Sequence, residues 1–187
     1  MIPKIDFIIL IIIIVCLEIF IVWRDRQDKH NIINPNFKHG RNFEIGYYNL
    51  IHNDVTVGDN VKIKSFVELR PNTVIEDDCY IDSGVKSSGN NFIGSGVTIR
   101  YGAKIAKNVI IDEGAFIAPE VMFINIPFVD KNKEVTHVGK RVKIGALSVI
   151  NDGVSIPDDT IIGALSFVRV SIKEKGVYVG NPLRRIR

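Results

Sequence analysis

A period of six governs this chain. From Ile45 through Ile51, Val57, Ile63 and Leu69 to Phe123, every sixth residue is large and apolar, Ser87 alone excepted. Four places after each of these stands a residue that is mostly small or β-branched, as at Val55, Val61, Val67, Thr73 and Cys79. A second run with the same period starts at Val138 and continues through Ile144, Ile150, Ile156, Ile162 and Val168. Between the apolar sites lie pairs such as Asp59-Asn60, Pro71-Asn72, Ser83-Gly84 and Asp158-Asp159. Gly, Asn and Asp tolerate positive φ, so these pairs read as tight turns.

The pattern excludes two common folds. Apolar residues at i, i+4 and i+6 do not follow the 3.6-residue helical period, and the density of Gly, Asn and Asp would break a helix. A β-sandwich would not repeat its turns at a strict six-residue interval. A short strand followed by a turn, repeated, winds instead into a coil. Inward residues of successive coils stack into a continuous core, and each coil bonds its backbone to the coils on either side. The expected fold is therefore all-β, a parallel β-helix spanning 45–173, with 174–187 as a closing segment.

Two segments depart from the repeat. Residues 7–23 read FIILIIIIVCLEIFIVW, with Glu18 the only charge. About 20 apolar residues are needed to span a bilayer, and Ile2, Pro3 and Ile5 extend the run. Small residues suited to leader cleavage are missing at its end, so 1–24 reads as a transmembrane signal anchor, with a helix buried against the domain as the alternative. Lys4 precedes the run; Arg24, Arg26 and Lys29 follow it, which places the folded domain on the cytoplasmic side. Residues 25–44 read as a polar linker. Of the two cysteines, Cys16 lies in the apolar run and Cys79 on an inward position, so no disulfide is expected. The net charge of +3 is too small to point to nucleic acid, and there is no basic stripe interleaved with aromatics.

The second departure lies between Phe123 and Val138, whose separation is not a multiple of six. Residues 124–137 are expected to protrude as a loop, and loops on a rigid scaffold often carry function.

The Ile/Val-Gly-x-x-Ala/Val/Ser-x cadence from Ile45 onward resembles the hexapeptide-repeat acyltransferases. So do the twin IGALS copies at 144–148 and 162–166 and the closing GVYVGNPLRRIR. The resemblance implies a left-handed parallel β-helix, a homotrimer with active sites between subunits, acetyl-CoA as acyl donor, and no metal. The four histidines lack the spacing of the three-histidine zinc site found in γ-carbonic-anhydrase-like proteins on the same fold.

Acyl transfer needs a base, a held thioester and a donor to the oxyanion. Among His30, His39, His52 and His137, the last closes the loop beside the C-terminal coils and is the expected base. Asn125 is the second catalytic candidate, as a hydrogen-bond partner for a substrate amine or hydroxyl. The Phe123-Ile124-Asn125 stretch resembles the Phe-x-Asn of N-acetyltransferases acting on nucleotide-linked amino sugars. The Thr-His-Pro of the sugar O-acetyltransferases is absent. The chain departs from the N-acetyl pattern at Arg100-Tyr101-Gly102, where an Asn-Asn pair is usual, and at Lys64-Ser65, where Trp-His is usual. Arg100 and Tyr101 are candidates for holding a substrate phosphate or carboxylate. By the same resemblance Gly145, Ala146, Gly163 and Ala164 line the pantetheine arm. The basic end, Arg169, Lys173, Lys175, Arg184 and Arg185, suits the cofactor phosphates. The expected activity is acetylation of a sugar amine in surface glycan synthesis. Sugar O-acetylation is the alternative within the class, and a non-catalytic trimeric scaffold the alternative outside it.

Overall fold

The computed structural model describes residues 30–125 and 135–187. The expected anchor at 1–24 and most of the loop lie outside the described residues. Among the described residues there is no helix, and so none long and apolar enough to cross a membrane.

The chain forms a parallel β-solenoid with three faces. Each six-residue unit contributes a strand of two or three residues, and each coil returns to the same face after 18 residues, as in Ile32↔Leu50 and Ile51↔Leu69. The first face begins with Ile32–Ile33, the second with Lys38–His39 and the third with Glu44–Ile45. In the body of the stack the first strand residue points out and the second points in. Lys62 is exposed and Ile63 buried; Thr98 is half-buried and Ile99 buried. Ile51, Ile63, Ile81, Ile99, Ile117 and Ile144 are essentially inaccessible to water. Burying one such side chain contributes roughly 1.5–3 kcal/mol.

Backbone donors are satisfied from coil to coil. Strand amides bond across the faces, as Leu50 N–H donates to Val67 O at 2.9 Å. Corner amides do the same, as Asp78 N–H donates to Asp59 O at 2.9 Å. Most corners place one residue in the left-handed region; Gly89 and Asn90 share one corner, and the first-coil corner at 34–37 has none. At the first corner, between first and second faces, these include Asp54, Asn72, Asn90 and Asn108. At the second they include Asn42, Asn60, Asp78 and Gly114. The third corner, between third and first faces, has His30, Tyr48, Phe66, Gly84, Gly102, Glu120, Leu147 and Leu165.

The one polar break in the apolar series is explained inside the core. Ser87 Oγ lies 3.0 Å from Thr73 Oγ1 and accepts from Asn91 Nδ2 at 2.9 Å. Asn91 Oδ1 in turn accepts from Val109 N–H at 2.9 Å. A buried polar group costs little when its hydrogen bonds are made.

Two boundaries differ from the sequence expectation. The coil begins at Ile32, inside the stretch read as linker, because residues 32–45 already supply one strand to each face. His39 holds an inward position of that coil, which interrupts the apolar period and hides it. At the other departure, the register across the break is Ile110↔His137 and Phe116↔Lys143, an offset of 27 where the pairings on either side have 18. Nine residues are therefore surplus to the coil. Thr136–Val138 is a strand of the second face, so the excursion ends before His137 rather than including it. The stack closes differently from how it begins. Val177–Val179 adds in parallel to Ile161–Ile162 and then pairs antiparallel with Arg184–Arg185.

Candidate functional site

Along the second face the outward residues run Lys38, Thr56, Val74, Phe92, Ile110, His137 and Ser155. Three consecutive apolar members, Val74, Phe92 and Ile110, floor a shallow groove of roughly 340 Å³. Its wall is the first corner, where Asn72 Nδ2 donates to Asn90 Oδ1 at 2.9 Å and Asn90 Nδ2 to Asn108 Oδ1 at 3.3 Å. Val135, immediately after the nine surplus residues, bounds the groove toward the C-terminal coils.

His137 is the next residue on the same face, paired in register with Ile110 of the groove floor. Its Nε2 lies 2.8 Å from Asp112 Oδ2. Asp112 directly follows the strand Val109–Ile111, and its amide donates to Val138 O at 2.8 Å. Both side chains are only partly exposed, at 43% and 26%. An ionised carboxylate can only accept, so a neutral imidazole beside it carries its proton on Nε2 and leaves Nδ1 as the acceptor. The arrangement is that of a general base oriented by a carboxylate.

Of the other candidates, Asn125 alone lies near the groove. Asn125 stands at the first corner, and its amide is committed to neighbouring coils. Oδ1 accepts from Lys107 N–H at 3.0 Å, while Nδ2 donates to Lys107 O at 3.3 Å and Asp152 Oδ1 at 3.4 Å. Arg100 and Tyr101 lie at the third corner, opposite the second face. The Arg100 guanidinium is 3.2 Å from the Asp82 carboxylate and stacks over the Tyr80 ring at 5.7 Å. Tyr101 beside it is exposed. Gly145-Ala146 and Gly163-Ala164 also lie at the third corner, in the last coils. A side chain at Gly145 would strike the backbone of Gly163 and Ala164, and one at Gly163 the Val179 side chain. Coil stacking therefore already demands these glycines. Arg169 follows the last first-face strand, Lys173 and Lys175 lie between that strand and the closing hairpin, and Arg184 lies within the hairpin. Arg185 is paired with Glu174 at 2.8 Å. Within one chain the fold brings together His137, Asp112 and the groove, and leaves Gly145, Ala146, Gly163 and Ala164 on the other side of the prism.

Sequence reasoning missed Asp112 and the asparagine wall. Asp112 occupies an ordinary turn place, and its pairing with His137 becomes visible only once nine residues are removed from the count. Cys79, the remaining nucleophile among the described residues, is not poised for chemistry, since burial pushes its thiol up to about 11.

No protein-family model matches the sequence, and no curated protein does. Solved structures share the fold at low identity. A point mutant of perosamine N-acetyltransferase from Caulobacter crescentus, in complex with CoA and GDP-perosamine, is 17% identical with a TM-score of 0.51. The match covers 84% of this chain and 56% of that one, so this chain spans little more than half its length. UDP-N-acetylglucosamine acyltransferase from Campylobacter jejuni is 15% identical with a TM-score of 0.68, covering 83% of this chain and 71% of that one. The fold is that of these sugar acyltransferases.

Proposed function

We propose that the protein is an acetyl-CoA-dependent acyltransferase that acetylates an amino group of a nucleotide- or lipid-linked sugar, on a left-handed β-helix. The observation that carries this reading is the His137–Asp112 pair beside the asparagine-walled groove. It is supported by the shared fold of enzymes that act on such sugars and, in one case, hold CoA.

In this reading the sugar amine attacks the acetyl carbonyl carbon. The C–S bond breaks, the amide forms, and CoA leaves as its thiolate. His137 Nδ1 takes the proton released by the attacking nitrogen and returns it to the thiolate sulfur. Asp112 keeps the imidazole in the accepting tautomer and stabilises it once charged. The same base would serve a hydroxyl acceptor, which keeps sugar O-acetylation as the second reading. His137 and the third-corner candidates Gly145, Ala146, Gly163 and Ala164 lie on opposite sides of one chain. The reading therefore includes a homotrimer, in which the last coils of one subunit, at Gly145 and Gly163, face the second face of the next. It also includes a membrane anchor at 1–24 with the β-helix on the cytoplasmic side, where acetyl-CoA and nucleotide- or lipid-linked sugars are both present.

Calorimetry of the full chain in detergent with acetyl-CoA, and separately with CoA, tests the reading. Saturable binding of both is expected. Binding of neither would overturn the enzyme reading and leave a scaffold.

A further inference from the structure

The left-handed turn position rejects bulky side chains, which makes the third corner unusual. Such a residue is strained there unless it is Gly, Asn or Asp. Yet Tyr48 and Phe66 occupy it at φ 56° and 61°. Both stay more than half exposed, at 54% and 57%. Their rings stack 5.4 Å apart with an angle of 6° between planes, and His30 continues the stack at 5.2 Å from Tyr48. Tyr47 adds a further exposed ring at the same level.

This ladder rises from an end of the solenoid that, among the described residues, has no polar cap. Ile32 is 69% exposed, and Phe37, Phe43 and His39 cluster at ring separations of 4.8–5.7 Å in the first coil. Solenoids in water need a terminal unit with a polar outer face. The opposite end has its hairpin; this end has none among the described residues.

The sequence leading into this end supplies the occupant. The apolar run stops at Trp23, seven residues before His30, so its end lies within roughly 25 Å of the ladder even if fully extended. We infer that the first coils seat directly in the headgroup layer of a lipid bilayer, with Tyr47, Tyr48 and Phe66 as the interfacial edge. The inference rests on the membrane anchor of the proposed function and adds to it a fixed docking face. Aromatic residues with a polar tip favour that layer. The ladder's three rungs span about 10 Å at a coil spacing near 4.8 Å, comparable to the roughly 5–8 Å headgroup region of one leaflet. Of the nearby basic groups, Arg41 is paired with Asp59 and Lys62 with Glu44.

The test uses the full chain in phosphatidylcholine vesicles with Trp23→Phe, which removes the sole tryptophan. Single reporters are then placed at Phe66→Trp and, on the same corner at the far end, at Leu165→Trp. Brominated lipid is expected to quench the first about twofold and leave the second unchanged. Tyr47→Trp, whose backbone carries no positive φ, gives the same reading if Phe66→Trp does not fold. Flotation with the vesicles but no quenching at 66 or 47 would overturn the docking face and leave the anchor standing. Blue-shifted but unquenched emission would mean that a protein surface or a second copy covers the ladder, and would overturn it as well. A chain that does not float would overturn both anchor and docking face.

Discussion

At the first corner the left-handed residues Asp54, Asn72, Asn90 and Asn108 suit their backbone, and the three asparagines bond to one another. At the third corner the same backbone carries Tyr48, Phe66, Leu147 and Leu165, which suit it poorly and reach into solvent. The two corners belong to the same coils and share the same hydrogen-bonding pattern, so geometry does not account for the difference. Polar turn residues build a wall that the molecule keeps for itself. Apolar ones, held at a cost in backbone strain, form a surface that faces outward. Substitutions on each side can break or sharpen this contrast.

The largest effect is expected where the walled groove meets the base. His137→Ala should lower turnover about 10²–10⁴-fold, with the midpoint of thermal unfolding little changed. Asp112→Asn should follow in the same direction with a smaller loss, mostly in kcat, because the imidazole stays in place in the wrong tautomer. By contrast Phe66→Asn, on the third corner, should leave turnover in detergent unchanged. Equal losses in all three would break the contrast.

Next come the cores behind the corners. Ile111→Ala, in the closed middle of the stack, should cost about 2–5 kcal/mol in urea unfolding. Ile33→Ala, in the open first coil, should cost less, since that residue is already partly exposed. Cys79 adds a pH signature. Its ordinary value is 9.0 and its folded value about 11, so the folded protein holds a proton that the unfolded chain releases. The corresponding stability is full below pH 9 and is lost as pH rises toward 11, up to about 2–3 kcal/mol. Cys79→Ala should remove this alkaline slope, measured against wild type in paired denaturation curves.

The smallest effects test the corners themselves. Asn90→Leu should destabilise by about 1–2 kcal/mol, through turn strain and the loss of two ladder bonds. Leu165→Asn should do the reverse, stabilising by about 1 kcal/mol in the isolated chain. Should Leu165→Asn destabilise, the third corner is packed in solution and the contrast fails.

The sequence makes the solenoid legible because inward positions are chemically monotonous. Ile51, Ile63, Ile75 and Ile81 announce their period without help from the rest of the fold. It is silent where chemistry and position disagree. His39 sits inward and conceals the first coil, while Ser87 sits inward because Thr73 and Asn91 satisfy it. The His137–Asp112 pair is hidden for another reason. Asp112 and His137 are 25 residues apart, and only the true register, with nine residues outside the coil, makes them neighbours. Asn125 shows the converse. Its motif stands out in sequence, yet its amide is bound to Lys107 and Asp152.

The second face counts six rungs from Lys38 to His137, joined by five register steps. At about 4.8 Å per step the molecule is a ruler some 24 Å long between its open end and its histidine. The intervening coils bear the groove, and their number sets a height. Removing one 18-residue rung ahead of the groove, such as residues 50–67, would lower the histidine by a single step without rotating it. Reach, rather than reactivity, is what the repeat count tunes.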